Sequence, residues 1–208
     1  MAETSRTNGG KRPFRTGHTS GERALTQKEY EALISHCITN EERLLLMLAV
    51  TTGLRRVDIA KVQISNIDLA EAKLTFHEHK KDRRDKTGKV VEERWRMIPL
   101  SPKVVQELTI YLNAVGKDHG GFLFSWGEPR WGDRTAHRRF QVMCDRAGVE
   151  RRPFHALRAS CIKFCQAKGW SPEQVAKLTG DTIAVIQQHY LTPSDQEMHE
   201  TVREKEVV

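Results

Sequence analysis

The chain has 208 residues and carries 34 Lys and Arg against 27 Asp and Glu, a formal charge of +7. A chain of that length buries a hydrophobic core without disulfide or metal staples, and 38% hydrophobic with 29% charged residues is a globular, water-compatible mixture. The charge favours a polyanionic partner, nucleic acid or acidic lipid, over a neutral one, and no apolar run approaches the ~20 residues of a membrane span.

The 1–24 segment is rich in Thr, Ser, Gly, Arg and Lys and reads as a flexible basic arm or linker. Its first 21 residues contain no hydrophobic stretch, which argues against a secretory leader. Thr26 followed by Glu29 fits a capping box, so a helix is expected from there to about Cys37. Asn40 is the candidate cap of a second helix built on Leu44, Leu45, Leu48 and Ala49, ended by Gly53. A short helix follows over 56–61. Stretches 63–68, 73–79 and 95–100 then read as three short strands, with a long, densely charged hairpin or mobile loop over 80–93.

Ser101 and Pro102 open a helix to about Val115. Beyond a Gly-rich loop, helices are expected over 135–147, from Pro153 or Phe154 to Lys168, over 171–180 and over 182–190, with Pro193 as the stop. The strands come together rather than alternating with helices, so the fold class is α+β: a mostly helical domain over 25–193 with a small three-stranded antiparallel sheet. The last stretch, 194–208, is a charged tail or an exchanged helix. Neither G-x-G-x-x-G nor a P-loop is present. Cys37, Cys144, Cys161 and Cys165 form no C-x-x-C pair and read as reduced thiols of a cytoplasmic chain.

Arg55 sits at a helix-to-helix turn, and Asp58 three residues on can orient or neutralise it. His155 and Arg158 lie three apart and so share a helix face. Two guanidiniums clamp a phosphate through paired hydrogen bonds in a way lysines do not. Tyr190, one of three tyrosines, is a nucleophile only where cations stabilise its phenolate; otherwise it is a packed core residue.

Three stretches set these residues in context. Thr51-Thr52-Gly53-Leu54-Arg55-Arg56-Val57-Asp58-Ile59-Ala60, His155-Ala156-Leu157-Arg158, and Lys177-Leu178-Thr179-Gly180 followed by Tyr190 occur in that order. Together they resemble the two arginine boxes and the final tyrosine box of the tyrosine recombinases, the phage-integrase and Xer/Cre family. The resemblance implies that Tyr190 attacks a DNA phosphodiester to give a 3′-phosphotyrosine and a free 5′-hydroxyl. Arg55 and Arg158 would stabilise the charge, with His155 handling the tyrosine proton and no metal, ATP or other cofactor required. It also implies a lysine in the hairpin between the second and third strands. Lys80 is the choice there, with Lys81 and Lys86 as rivals.

The glycine of the last box is usually followed by histidine, and here Asp181 stands in that place. An ionised carboxylate donates no hydrogen bond and repels a phosphate, so Asp181 either holds Arg158 or His155 in place or caps the next helix. Eight arginines against three acids over 130–158 suit a phosphate-gripping surface. Lys81, Arg130, Arg134, Arg138, Arg139, Arg151 and Arg152 are the candidate DNA contacts.

The implied partner is double-stranded DNA at the nucleoid. Self-assembly into a dimer or tetramer on DNA is expected, with a separate core-binding domain or partner protein completing the clamp, and no membrane. The expected function is site-specific recombination or integration. The alternatives are a catalytically weak DNA-binding architectural or regulatory relative, motivated by Asp181, and a type IB topoisomerase.

Overall fold

The computed structural model describes residues 23–115, 121–126, 132–191, 198–199 and 202–203. Helix α1, Gln27–Ser35, starts on the expected capping box: the Glu29 N–H donates to the Thr26 hydroxyl at 3.2 Å, and the Thr26 N–H donates to the Glu29 carboxylate at 2.7 Å. Helix α2, Asn40–Thr52, is capped by Thr39 rather than Asn40. Thr39 has the extended backbone that a cap needs and accepts from the Glu42 N–H, whereas Asn40 is already helical. Leu44, Leu45, Leu46, Leu48 and Ala49 are all buried, so α2 is a central helix enclosed on every side. It ends at Gly53, whose φ of 64° supplies the left-handed C-cap.

Helix α3 is the single turn Arg56–Ile59. Of the expected strand over 63–68, β1, Ile67–Asp68, pairs with a neighbouring strand, and Gln63 makes an isolated antiparallel bridge to Phe122. The Gln63 N–H donates to the Asn66 side-chain oxygen at 2.9 Å, and that local bond folds Ile64–Asn66 into a tight turn instead. Strands β2, Lys73–His77, and β5, Trp95–Pro99, complete a three-stranded antiparallel sheet in the order β1-β2-β5. Between them the charged loop is not irregular throughout: β3, Arg83–Arg84, and β4, Val90–Glu92, form a separate two-stranded ribbon.

Helices α4, Pro102–Val115, and α5, Gly132–Ala147, follow, the latter starting three residues before its expected position. Then come α6, His155–Ala167, and α7, Pro172–Thr179. The helix expected over 182–190 is instead a short α8, Ile183–Ile186, that widens into a π-turn over Gln187–Leu191. Among the described residues no helix is long and apolar enough to cross a membrane.

Helix α2 packs against α4 and α6. The larger apolar cluster joins α2 to the sheet, α4, α5 and the start of α6 through Leu157. A smaller cluster joins Ala159, Cys161, Ile162 and Cys165 of α6 to Val175, Leu178, Ile186 and Tyr190. Helix α6 is thus the wall between two packed regions, and Arg158 projects at their seam. Most of the arm over 1–24 and of the tail over 194–208 falls outside the described residues, as do Arg130 and Trp131.

Candidate active site

Two left-handed helix caps build the site. Gly53 turns the chain out of α2, so that its carbonyl oxygen accepts from Arg158 Nη1 while Arg55, two residues on, reaches outward. Gly180, with φ of 77°, ends α7 and delivers Asp181. A side chain at position 180 would be strained and would displace its neighbours. An added Cβ would lie 2.5 Å from Arg96 Nη1 and 2.8 Å from Glu78 Oε1, and a positive φ strains any L side chain.

Asp181 joins the two arginines. Its Oδ1 accepts from Arg55 Nη2 at 2.9 Å, and its Oδ2 accepts from Arg158 Nη2 at 2.6 Å and Nε at 3.2 Å. Arg158 is 2% exposed, and its Nη2 also donates to the Thr179 carbonyl at 2.7 Å. Burial pushes the Asp181 carboxyl up, but the charge and hydrogen bonds of Arg158 and the charges of Arg55 and Lys81 outweigh it, leaving the group below its ordinary value and ionised. Asp181 does not cap α8. That role belongs to Thr182, which accepts from the Val185 N–H.

Arg55 has a second carboxylate partner. Its Nη1 donates to Glu78 Oε1 at 2.8 Å. Glu78 is 1% exposed and faces three cations: Arg55, Arg96 at 3.9 Å and Lys81 at 4.0 Å. Arg96 lies over the Phe76 ring and donates to the Lys177 carbonyl at 3.0 Å. Asp58 is also buried, but it meets His79 Nδ1 at 3.4 Å and not Arg55. Burial raises its carboxyl, with Arg55 and His79 opposing.

His155 opens α6 one turn before Arg158, and its Nε2 lies 2.9 Å from the Tyr190 hydroxyl oxygen. Its outer edge is exposed. Burial of the ring among its neighbours, with the charges of Arg158, Arg55 and Lys80, holds the imidazole below its ordinary value of 6.5, while Asp181 pulls the other way. The ring is therefore neutral at physiological pH. Tyr190 is 4% exposed and sits in the π-turn, packed into the smaller apolar cluster. Beside His155 and Arg158 lies a cleft of about 240 Å³, whose lining also includes Arg55, Arg56, His137 and Pro153.

The three hairpin lysines are separated by the structure. Lys81 carries its ammonium to the Gly180 carbonyl oxygen, beside Asp181. Lys80 is exposed on the turn His79–Lys81, close enough for its charge to act on His155. Lys86 is exposed on the ribbon between β3 and β4.

The family model described as the phage integrase family matches residues 23–197. The chain belongs to the phage integrase family. Solved structures agree on the fold. The XerA recombinase superposes with a TM-score of 0.68 at 19% identity over 87% of this chain and 64% of that one. The Tn1549 transposon integrase in complex with transposon right-end DNA gives 0.63 at 15% over 87% and 65%. The lambda integrase bound to DNA gives 0.58 at 20% over 89% and 62%. This integrase-family chain therefore spans less than two thirds of those three chains. A search of curated proteins finds no match.

Within this integrase-family domain, two site residues escape sequence reasoning, Glu78 and Arg96. The signal was the alternation of β2: Leu74, Phe76 and Glu78 follow one another at every second position and are all buried. A carboxylate in that series has to find cations, and Arg96 is the strand partner of Phe76. Three of the candidate DNA contacts also form ion pairs within the chain. Arg139 pairs with Glu41 at 3.1 Å and overlies Trp126, Arg151 pairs with Asp145 at 2.6 Å, and Arg152 pairs with Glu29 at 2.8 Å. Trp126 stacks on Phe124, so it packs. Arg134 and Arg138 are exposed on α5.

Proposed function

We propose that the chain is a site-specific DNA recombinase or integrase that cuts and rejoins double-stranded DNA through a 3′-phosphotyrosine at Tyr190. One observation carries the reading: the Tyr190 hydroxyl lies 2.9 Å from His155 Nε2, on the helix whose next turn holds Arg158, itself linked to Arg55 through Asp181. The Tyr190–His155 pair and the Arg158–Asp181–Arg55 bridge thus meet on α6, although their residues lie far apart in sequence.

In this mechanism the Tyr190 oxygen attacks phosphorus in line, and its proton passes to Nε2 of neutral His155. The bond to the 5′-oxygen breaks, and a hairpin lysine protonates the leaving oxygen. The position of Lys81 beside Gly180 supports it over Lys80 in that role. Arg55 and Arg158 bear the charge on the non-bridging oxygens, the task a metal ion performs at other phosphoryl-transfer sites. The phosphotyrosine keeps the bond energy, so a second 5′-hydroxyl reseals the strand without ATP.

Double-stranded DNA at the nucleoid is the partner. Strand exchange between paired sites calls for self-assembly on DNA, with a core-binding domain or partner protein completing the grip. A second reading, a DNA-binding relative of low catalytic power, is favoured by one observation: both guanidiniums already hold a carboxylate.

The test does not need the target site in advance. Protein–DNA adducts recovered under denaturing conditions from cells expressing the chain should yield a recurrent sequence with 5′-hydroxyl ends, and the Tyr190→Phe variant should yield none. DNA binding without any adduct in either protein would support the second reading.

A further inference from the structure

Asp181 does more than neutralise its neighbours. A phosphodiester held between two guanidiniums presents one non-bridging oxygen to each, and the Asp181 carboxylate presents Oδ1 to Arg55 and Oδ2 to Arg158 in that way. The edge of Arg158 formed by Nε and Nη2, the edge that takes an oxyanion side-on, is filled by Asp181. The rest of that side chain is turned inward to the Gly53 and Thr179 carbonyls, and the residue is almost fully buried. A phosphate therefore meets that edge of Arg158 only where Asp181 now lies.

We propose that the Asp181 carboxylate occupies the seat of the scissile phosphate as an internal competitor, so that Asp181 sets the affinity of this site for a phosphodiester. The proposal rests on the recombinase reading for the identity of the ligand. Its location also allows displacement. Asp181 lies between the Gly180 cap of α7 and the Thr182 cap of α8, outside both helices, so the side chain can leave without breaking a helical hydrogen bond. Glu78 stays behind to hold Arg55, with Arg96 and Lys81 beside it. Being ionised, Asp181 cannot donate to the phosphate, so it and the DNA exclude each other.

The probe is inorganic phosphate, titrated calorimetrically into the full chain. The Asp181→Asn variant keeps the side-chain shape and an acceptor for Arg158 but removes the competing charge. It should bind phosphate at least about tenfold more tightly than the wild type, the scale of a charge-assisted contact, and adding Arg55→Gln to it should erase the gain. If the Asn variant fails to fold, Asp181→Ala is read in the same way, since it too removes the competing carboxylate. Equal phosphate affinity in wild type and variants overturns the proposal, and so does a gain that survives loss of Arg55.

This readout needs no DNA cleavage. Unchanged phosphate affinity with adducts still formed at Tyr190 removes the competitor and leaves the enzyme. A phosphate gain without any adduct keeps the seat and removes strand transfer.

Discussion

The Tyr190 hydroxyl hydrogen-bonds a histidine that is neutral at physiological pH, and that state is what a proton acceptor needs. The sign follows from the direction of the shift. Burial, Arg158, Arg55 and Lys80 together favour loss of the imidazole proton, so His155 becomes charged only below 6.5. Single-turnover adduct formation should be flat through neutral pH and fall on acidification, with its inflection on the acid side of that value. An inflection above it would assign the proton to another group. Replacing His155 with Ala should slow adduct formation by about 10²–10⁴-fold, the usual contribution of a positioned acid–base group, and should remove that inflection. The same lowered value makes His155 a source of stability that is present at neutral pH and lost as pH falls through the window below 6.5, because the unfolded chain binds the proton more readily.

The caps carry the geometry at the scale of elements. Substituting Gly180 with Ala places a methyl group against Arg96 and Glu78 at a left-handed residue. The expected cost is about 1–3 kcal/mol from the backbone alone, plus displacement of the Glu78–Arg96 pair, readable as a lower denaturant midpoint and weaker DNA binding. A midpoint equal to wild type would contradict that packing. Helix ends of this kind were legible in the sequence: Thr26 with Glu29, Ser171 and Pro172, Gly53 and Gly180 all act as their residue types dictate. The second and third strands were legible as well, because β-rich runs stand out between charged segments, while the first shrank to Ile67–Asp68.

Other features were not legible, because they depend on residues far away in the chain. Glu78 reads as one more charge in a charged stretch until β5 brings Arg96 beside it. Asp181 reads as a departure from a motif until α2 and α6 deliver an arginine to each of its oxygens. The ribbon between β3 and β4 has too few apolar residues to betray itself by periodicity.

At the scale of the molecule, the described cations include two kinds, paired and solvent-facing. Arg146 donates to both oxygens of Glu42, at 2.7 and 3.1 Å, and to the His36 carbonyl, tying α5 to the start of α2. Removing it should destabilise the fold by about 1–3 kcal/mol, since the pair is partly screened by solvent, with little change in the salt dependence of DNA binding. Arg138 lies exposed on the same helix. Its replacement by Ala should leave stability intact and lower the slope of log affinity against log salt by about 1. Equal salt slopes for the two variants would dissolve the division.

The central claim is that His155, with Arg158 and Arg55 nearby, makes Tyr190 a nucleophile toward DNA. Its most direct test is tandem mass spectrometry of the DNA-linked protein after exhaustive nuclease digestion. The account predicts a residual nucleotide mass on the peptide containing Tyr190, attached to the phenolic oxygen and lost in Tyr190→Phe. A nucleotide on Tyr30, Tyr111 or a serine, or covalent linkage that persists in Tyr190→Phe, would contradict it.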